Sequence, residues 1–123
     1  MTYYRESAGS QDAGITYHLV PESVWDAQRS NDCYTPEAYE KDGFIHCTNG
    51  IDQLVQVANL FYVSDPRTFR VLILDVATIR SGLRYDDDKQ LFPHIYGPLN
   101  TDAVVGELSV TRADDGAFVS IDE

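Results

Sequence analysis

The stretch Phe69-Arg70-Val71-Leu72-Ile73-Leu74-Asp75-Val76 decides the fold class. Its centre is a nearly continuous run of β-branched and leucyl side chains, which predicts a strand buried on both faces. Immediately upstream, Ile51, Leu54, Val55, Ala58, Leu60 and Phe61 recur mostly at spacings of three and four, the period of a helix packing one side on a core. Thr48 or Asn49 is the expected N-cap of that helix, and Ser64-Asp65-Pro66 its expected end.

Working outward, Ile15-Thr16-Tyr17-His18-Leu19-Val20 predicts a strand, and Pro21-Glu22 opens a helix. Val24, Trp25 and Gln28 give that helix its packing face, and Ser30-Asn31-Asp32 ends it. Residues 33–43 hold a turn with room for one helical turn, and Phe44-Ile45-His46-Cys47 forms a second strand. Downstream come a strand at Leu83-Arg84-Tyr85, an acidic turn at Asp86-Asp87-Asp88, and the segment LFPHIYGPL at 91–99, whose two prolines predict a stiff loop. Ala103 to Thr111 reads as a long strand, and Asp115-Gly116 as a hairpin turn into Ala117-Phe118-Val119. The order β-α-β-α-β-β-β-β argues for an α+β fold, with two early helices against small antiparallel sheets. Residues 1–13 predict a loose tail, and 14–123 a single α+β domain.

Twenty acidic residues against nine basic ones leave a net charge of −11. A long nucleic acid is therefore excluded as an expected partner, because such binding rests mainly on neutralising phosphates. A small anionic ligand stays open, since one or two arginines and a few N–H groups can hold a phosphate locally. The longest apolar runs are far below the ~20 residues that cross a bilayer, and the opening MTYYRESAGSQDAG lacks a signal-type apolar run. A cytoplasmic protein with no membrane partner is the expectation. The two cysteines, Cys33 and Cys47, are expected to be free, buried thiols.

The chemistry gathers around three histidines, in YHLV (His18), GFIHCT (His46) and LFPHIYGPL (His94). His46 precedes a helix start at Thr48, which brings an imidazole, a hydroxyl and backbone N–H groups towards one place. His94, next to Tyr96, is expected to be held in its stiff loop. No metal is expected, because the histidines lie 28 and 48 residues apart and form no local ligand motif. Cys47 directly follows His46 on a strand, so the two side chains point to opposite faces and make no nucleophile pair.

The joint spacing of YHLV, GFIHCT, the helix ending ANLFY, and LFPHIYGPL followed by DAVV resembles a small bacterial family, domain of unknown function 952 (DUF952), over about residues 15–110. Members of that family often carry Trp-Glu where this chain has Tyr85-Asp86. The resemblance implies a fold similar to that of ADP-ribosyltransferases, a split β-sheet holding NAD in a cleft between two small antiparallel sheets. Under it, His18 falls on the first-strand histidine that contacts a ribose, and His46, with Thr48, near the nicotinamide end. The glutamate common in active transferases has no clear counterpart, Glu107, Asp86 and His94 all being candidates. The residues and the resemblance together give an expected site of His46, His94 and Asp86 for catalysis and His18, Thr48 and Tyr96 for ligand contact, with NAD as the candidate substrate. Two classes stay open at this point: an enzyme of NAD or ADP-ribose chemistry, and a non-catalytic module for a small ligand or a protein partner.

Overall fold

A computed structural model describes residues 14–122, so the tail expected over residues 1–13 lies outside the described residues. In chain order the elements are β1 (Ile15–Pro21), α1 (Glu22–Gln28), β2 (Cys33–Tyr34), α2 (Tyr39–Asp42), β3 (Ile45–His46), α3 (Ile51–Phe61), β4 (Phe69–Asp75), β5 (Gly82–Tyr85), β6 (Pro93–Tyr96), β7 (Leu99–Asn100), β8 (Val104–Arg112) and β9 (Phe118–Asp122). The fold is α+β. Among the described residues three antiparallel sheets form, ordered β1-β4-β8-β9, β3-β6-β5 and β2-β7.

The apolar run at 69–76 becomes β4, with β1 on one edge and β8 on the other. Val71, Leu72 and Leu74 are fully buried and feed two different core clusters, one on each face of the sheet. Burying a side chain of this size contributes about 1.5–3 kcal/mol, so this strand anchors both layers at once. The Asp115-Gly116 hairpin forms as expected and joins β8 to β9. The free edge of β9 is closed by Asn59, whose side-chain amide donates to the Phe118 carbonyl and accepts from the Phe118 N–H.

Several expectations are corrected. The N-cap of α3 is Gly50, with φ at +94°, and no side chain caps the helix. Thr48 and Asn49 are buried instead, and their backbone N–H groups donate to the carbonyls of Tyr17 and Leu91. Leu54 and Ala58 of α3 face the core, whereas Leu60 and Phe61 are 74% and 70% exposed. Leu60 lies two residues beyond Ala58, about 200° round a 3.6-residue helix, and so points away from the sheet. Cys47 is buried as expected, but Cys33 is exposed on β2; both thiols are free.

The largest correction concerns 91–99. This segment is not a loop but two strands, β6 and β7, and β6 is the central strand of its sheet. Pro93 fits because it sits at the first strand position, where its carbonyl accepts from the Cys47 N–H at 3.0 Å and its missing N–H is not needed. The turn from β6 to β7 passes through Gly97 at φ +144°, where an added Cβ would lie 2.5 Å from the Ser81 hydroxyl. Only glycine fits there.

Candidate functional site

His18 lies where the two larger sheets separate. β1 meets the chain just after β3 at one bridge, Tyr17 to Thr48, with paired backbone bonds of 3.1 and 2.9 Å. At the next residue a side chain continues the link. The His18 Nδ1–H donates to the carbonyl of His46 at 2.7 Å, and Nε2 accepts from the Tyr34 hydroxyl at 2.7 Å. A carbonyl can only accept, so these partners fix the Nδ1–H tautomer. Burial drives the imidazole pKa down to about 4. His18 is therefore neutral, and both its nitrogens are spent inside the protein.

A cleft of about 140 Å³ opens beside this junction, lined among others by His18, Tyr34, Phe44, His46 and Tyr62. Asp42, Glu37 and Asp65 bring carboxylates to the wall. The last two are bound by Arg67, at 3.0 and 2.8 Å.

Beside the cleft, three short strands carry functional side chains at alternate positions, hence on one face. Phe44 and His46 come from the β3 segment, His94 and Tyr96 from β6, and Arg84 and Asp86 from β5 and the residue after it. In register, His46 is opposite His94, and His94 is opposite Arg84, making a row across the sheet. The His46 and His94 rings are 5.5 Å apart, and Phe44 stacks on His94 at 4.0 Å.

Each of these imidazoles is held by a carboxylate. Asp42 accepts from the His46 Nε2–H at 2.9 Å, and Asp86 from the His94 Nδ1–H at 2.9 Å. Asp86 also accepts from the Tyr96 hydroxyl at 2.5 Å and from the Arg84 Nε–H at 2.9 Å. Those donors, Tyr96 foremost, pull its pKa down to about 2, so it stays ionised. Among the described residues, His46 Nδ1 and His94 Nε2 have no hydrogen-bond partner, and they are the nitrogens left for a ligand.

The structure thus brings His46, His94, Asp86 and Tyr96 together on one sheet face. His18 and Thr48 lie buried in the wall behind, joined to that face through the His46 carbonyl. Glu107 goes elsewhere: it accepts from the Trp25 Nε1–H at 2.9 Å, pairs with Arg29, and does not line the cleft. Sequence reasoning missed Tyr34, Asp42, Phe44 and Arg84. The alternation Phe44-x-His46 could have flagged Phe44. No local signal marks Tyr34, which reaches His18 through pairing between β2 and β7.

Among the described residues no helix is long and apolar enough to cross a membrane. The chain is similar in fold to CC0527 of Caulobacter crescentus. The crystal structure of that protein is 22% identical with a TM-score of 0.72, over 85% of this chain and 93% of that one. The crystal structure of a double mutant of CC0527 gives the same figures. Its solution structure is 20% identical with a TM-score of 0.66, over 89% and 92%. No curated protein matches the chain. A family model described as protein of unknown function, DUF952, matches residues 19–107, well over half of the sequence, and the chain belongs to that family.

Proposed function

We propose that this chain binds a small ribose-containing ligand of the NAD or ADP-ribose class in the cleft beside β1 and β3, on a split β-sheet of the ADP-ribosyltransferase kind. The observation that carries the reading is the junction at His18. There a four-stranded and a three-stranded sheet part, a cleft opens with an aromatic wall, and a second imidazole, His46, borders it with a free nitrogen. Hydroxyl groups of a ribose suit such a site, because an imidazole of fixed tautomer accepts a hydrogen bond in one direction only. His18 acts here by position, setting the cleft wall, while His46 offers its nitrogen to the ligand and His94 stands next to it in the row beside the cleft.

A non-catalytic binding module is the second reading, favoured by the state of the carboxylates. Cleaving a ribosyl bond develops positive charge that a nearby carboxylate stabilises. Glu37 and Asp65 are occupied by Arg67, which leaves Asp42, itself bound to His46. Titration calorimetry and thermal melting with NAD, ADP-ribose and nicotinamide test the proposal. A saturating ligand at 100 times its Kd adds about 2.7 kcal/mol to stability, an evident rise in Tm. No heat and no shift with any of the three at millimolar concentration would sink it.

A further inference from the structure

The row Arg84–His94–His46 has more chemistry than binding requires. In a chain of net charge −11, it sets one guanidinium and two imidazoles side by side on one exposed sheet face. The two imidazoles differ in how they are held. Asp42 takes the Nε2–H of His46, leaving Nδ1, while Asp86 takes the Nδ1–H of His94, leaving Nε2. Imidazole titrates nearest neutrality of all side chains, so one such ring can accept a proton while the other donates one. Phe44 and Tyr96 wall the row, and the Arg84 guanidinium lies 4.3 Å over the Tyr96 ring.

We propose that His46 and His94, with Arg84, are an acid–base pair that hydrolyses a ribonucleoside 2′,3′-cyclic phosphate. The inference rests on the reading above that the ligand contains a ribose. Charge selects this class. A cyclic phosphodiester carries a single negative charge, and the Arg84 guanidinium keeps further N–H donors beyond the Nε–H it gives to Asp86, whereas a long polyphosphate chain would meet the full repulsion of the acidic surface. Adjacency selects the reaction. The two rings meet edge to face with centroids 5.5 Å apart, so one phosphate lying over the row reaches both.

His46 Nδ1 takes a proton from water as the water oxygen bonds to phosphorus. The bond from phosphorus to O2′ breaks, its electron pair stays on O2′, and the protonated Nε2 of His94 supplies the proton there. One water is consumed, a 3′-monophosphate forms, and exchange with solvent resets both rings. The charged groups facing the pair are Asp42 from α2 and Arg84 and Asp86 from the β5 side, with the Tyr96 hydroxyl beside them on β6. Both carboxylates already accept hydrogen bonds from the pair, so they act as positioning residues. Asp86 remains an anion throughout the neutral range.

The test follows 2′,3′-cyclic adenosine monophosphate by phosphorus NMR with the full chain. The expected result is conversion to a single monophosphate isomer, with a bell-shaped pH profile. His46→Gln and His94→Gln should each lower the rate by about 100-fold or more and each remove one limb of the bell. The His46 side chain is mostly exposed, so that variant alone decides the matter should His94→Gln lose its fold. No turnover above buffer, or turnover untouched by either substitution, overturns the proposal. Melting curves with ADP-ribose on the same samples separate the two readings. A shift without turnover defeats this inference alone, and turnover without a shift by NAD or ADP-ribose defeats only the choice of those ligands.

Discussion

Tyr34 gives its phenolic hydrogen to Nε2 of His18 at 2.7 Å, with Tyr34 wholly buried and His18 4% exposed. The bond ties β2 to the point where the two larger sheets separate, and the edge-on packing of the two rings, 5.4 Å apart, reinforces it. Burial raises the Tyr34 pKa and lowers that of His18, so both partners stay neutral over the working range.

Replacing Tyr34 by Phe removes the donor and leaves a buried acceptor without a partner. The expected cost is about 1–3 kcal/mol, and urea unfolding measures it. A cost below about 0.5 kcal/mol would mean that water replaces the hydroxyl.

The low pKa of His18 makes stability depend on pH. The unfolded chain takes up this proton near 6.5 and the folded one only near 4, so the unfolded state binds more protons between those values. This contribution is fully present above pH 6.5 and is lost as pH falls towards 4. At about 1.4 kcal/mol per pKa unit, the span amounts to roughly 3 kcal/mol. Urea titrations at pH 7 and 4.5 should show the loss in the wild type, and a smaller loss in His18→Gln.

The carboxylate partners assign opposite tautomers to His46 and His94. Long-range proton–nitrogen NMR at pH 8 should find His94 as the Nδ1–H form and His46 as the Nε2–H form. Asp86→Ala should release His94 towards the Nε2–H form that free imidazole side chains favour, leaving His46 unchanged. An unaltered His94 spectrum would show that Asp86 does not hold the ring.

His46 and His18 should respond oppositely to truncation. The His46 side chain is 56% exposed. His46→Ala should thus leave the melting curve within about 0.5 kcal/mol of wild type, while weakening ADP-ribose binding by about 1–3 kcal/mol. His18→Ala should lower Tm markedly in the absence of any ligand. Calorimetry and melting curves on both variants decide the assignment.

The thiols offer a check on packing. Cys33 is exposed and Cys47 buried, and burial pushes the Cys47 thiol pKa well above its ordinary value. A thiol reagent such as DTNB should modify one cysteine promptly in the native protein and the second only on unfolding. Cys33→Ser should abolish the fast phase. Two fast thiols would contradict the core around Ile45, Cys47 and Leu72.

What the sequence determined by itself was whatever a short window can encode. The apolar run of β4, the helical spacing of Leu54 and Ala58, and the Asp115-Gly116 turn are periodic or conformational signals, and each formed as read. The α+β class and the family followed from their order and joint spacing. The strand at Ile45–His46 was legible too, but only the tertiary structure decided the two-residue strands Cys33–Tyr34 and Leu99–Asn100, because they owe their conformation to partners far along the chain rather than to a pattern of their own. The same holds for the histidines. All three were visible as candidates, but burial and hydrogen bonding set them apart, spending both nitrogens of His18 on Tyr34 and the His46 carbonyl. Strand register then laid Arg84, His94 and His46 side by side, and no spacing along the chain announces that row, because sheet neighbours are chosen by pairing and not by distance in sequence.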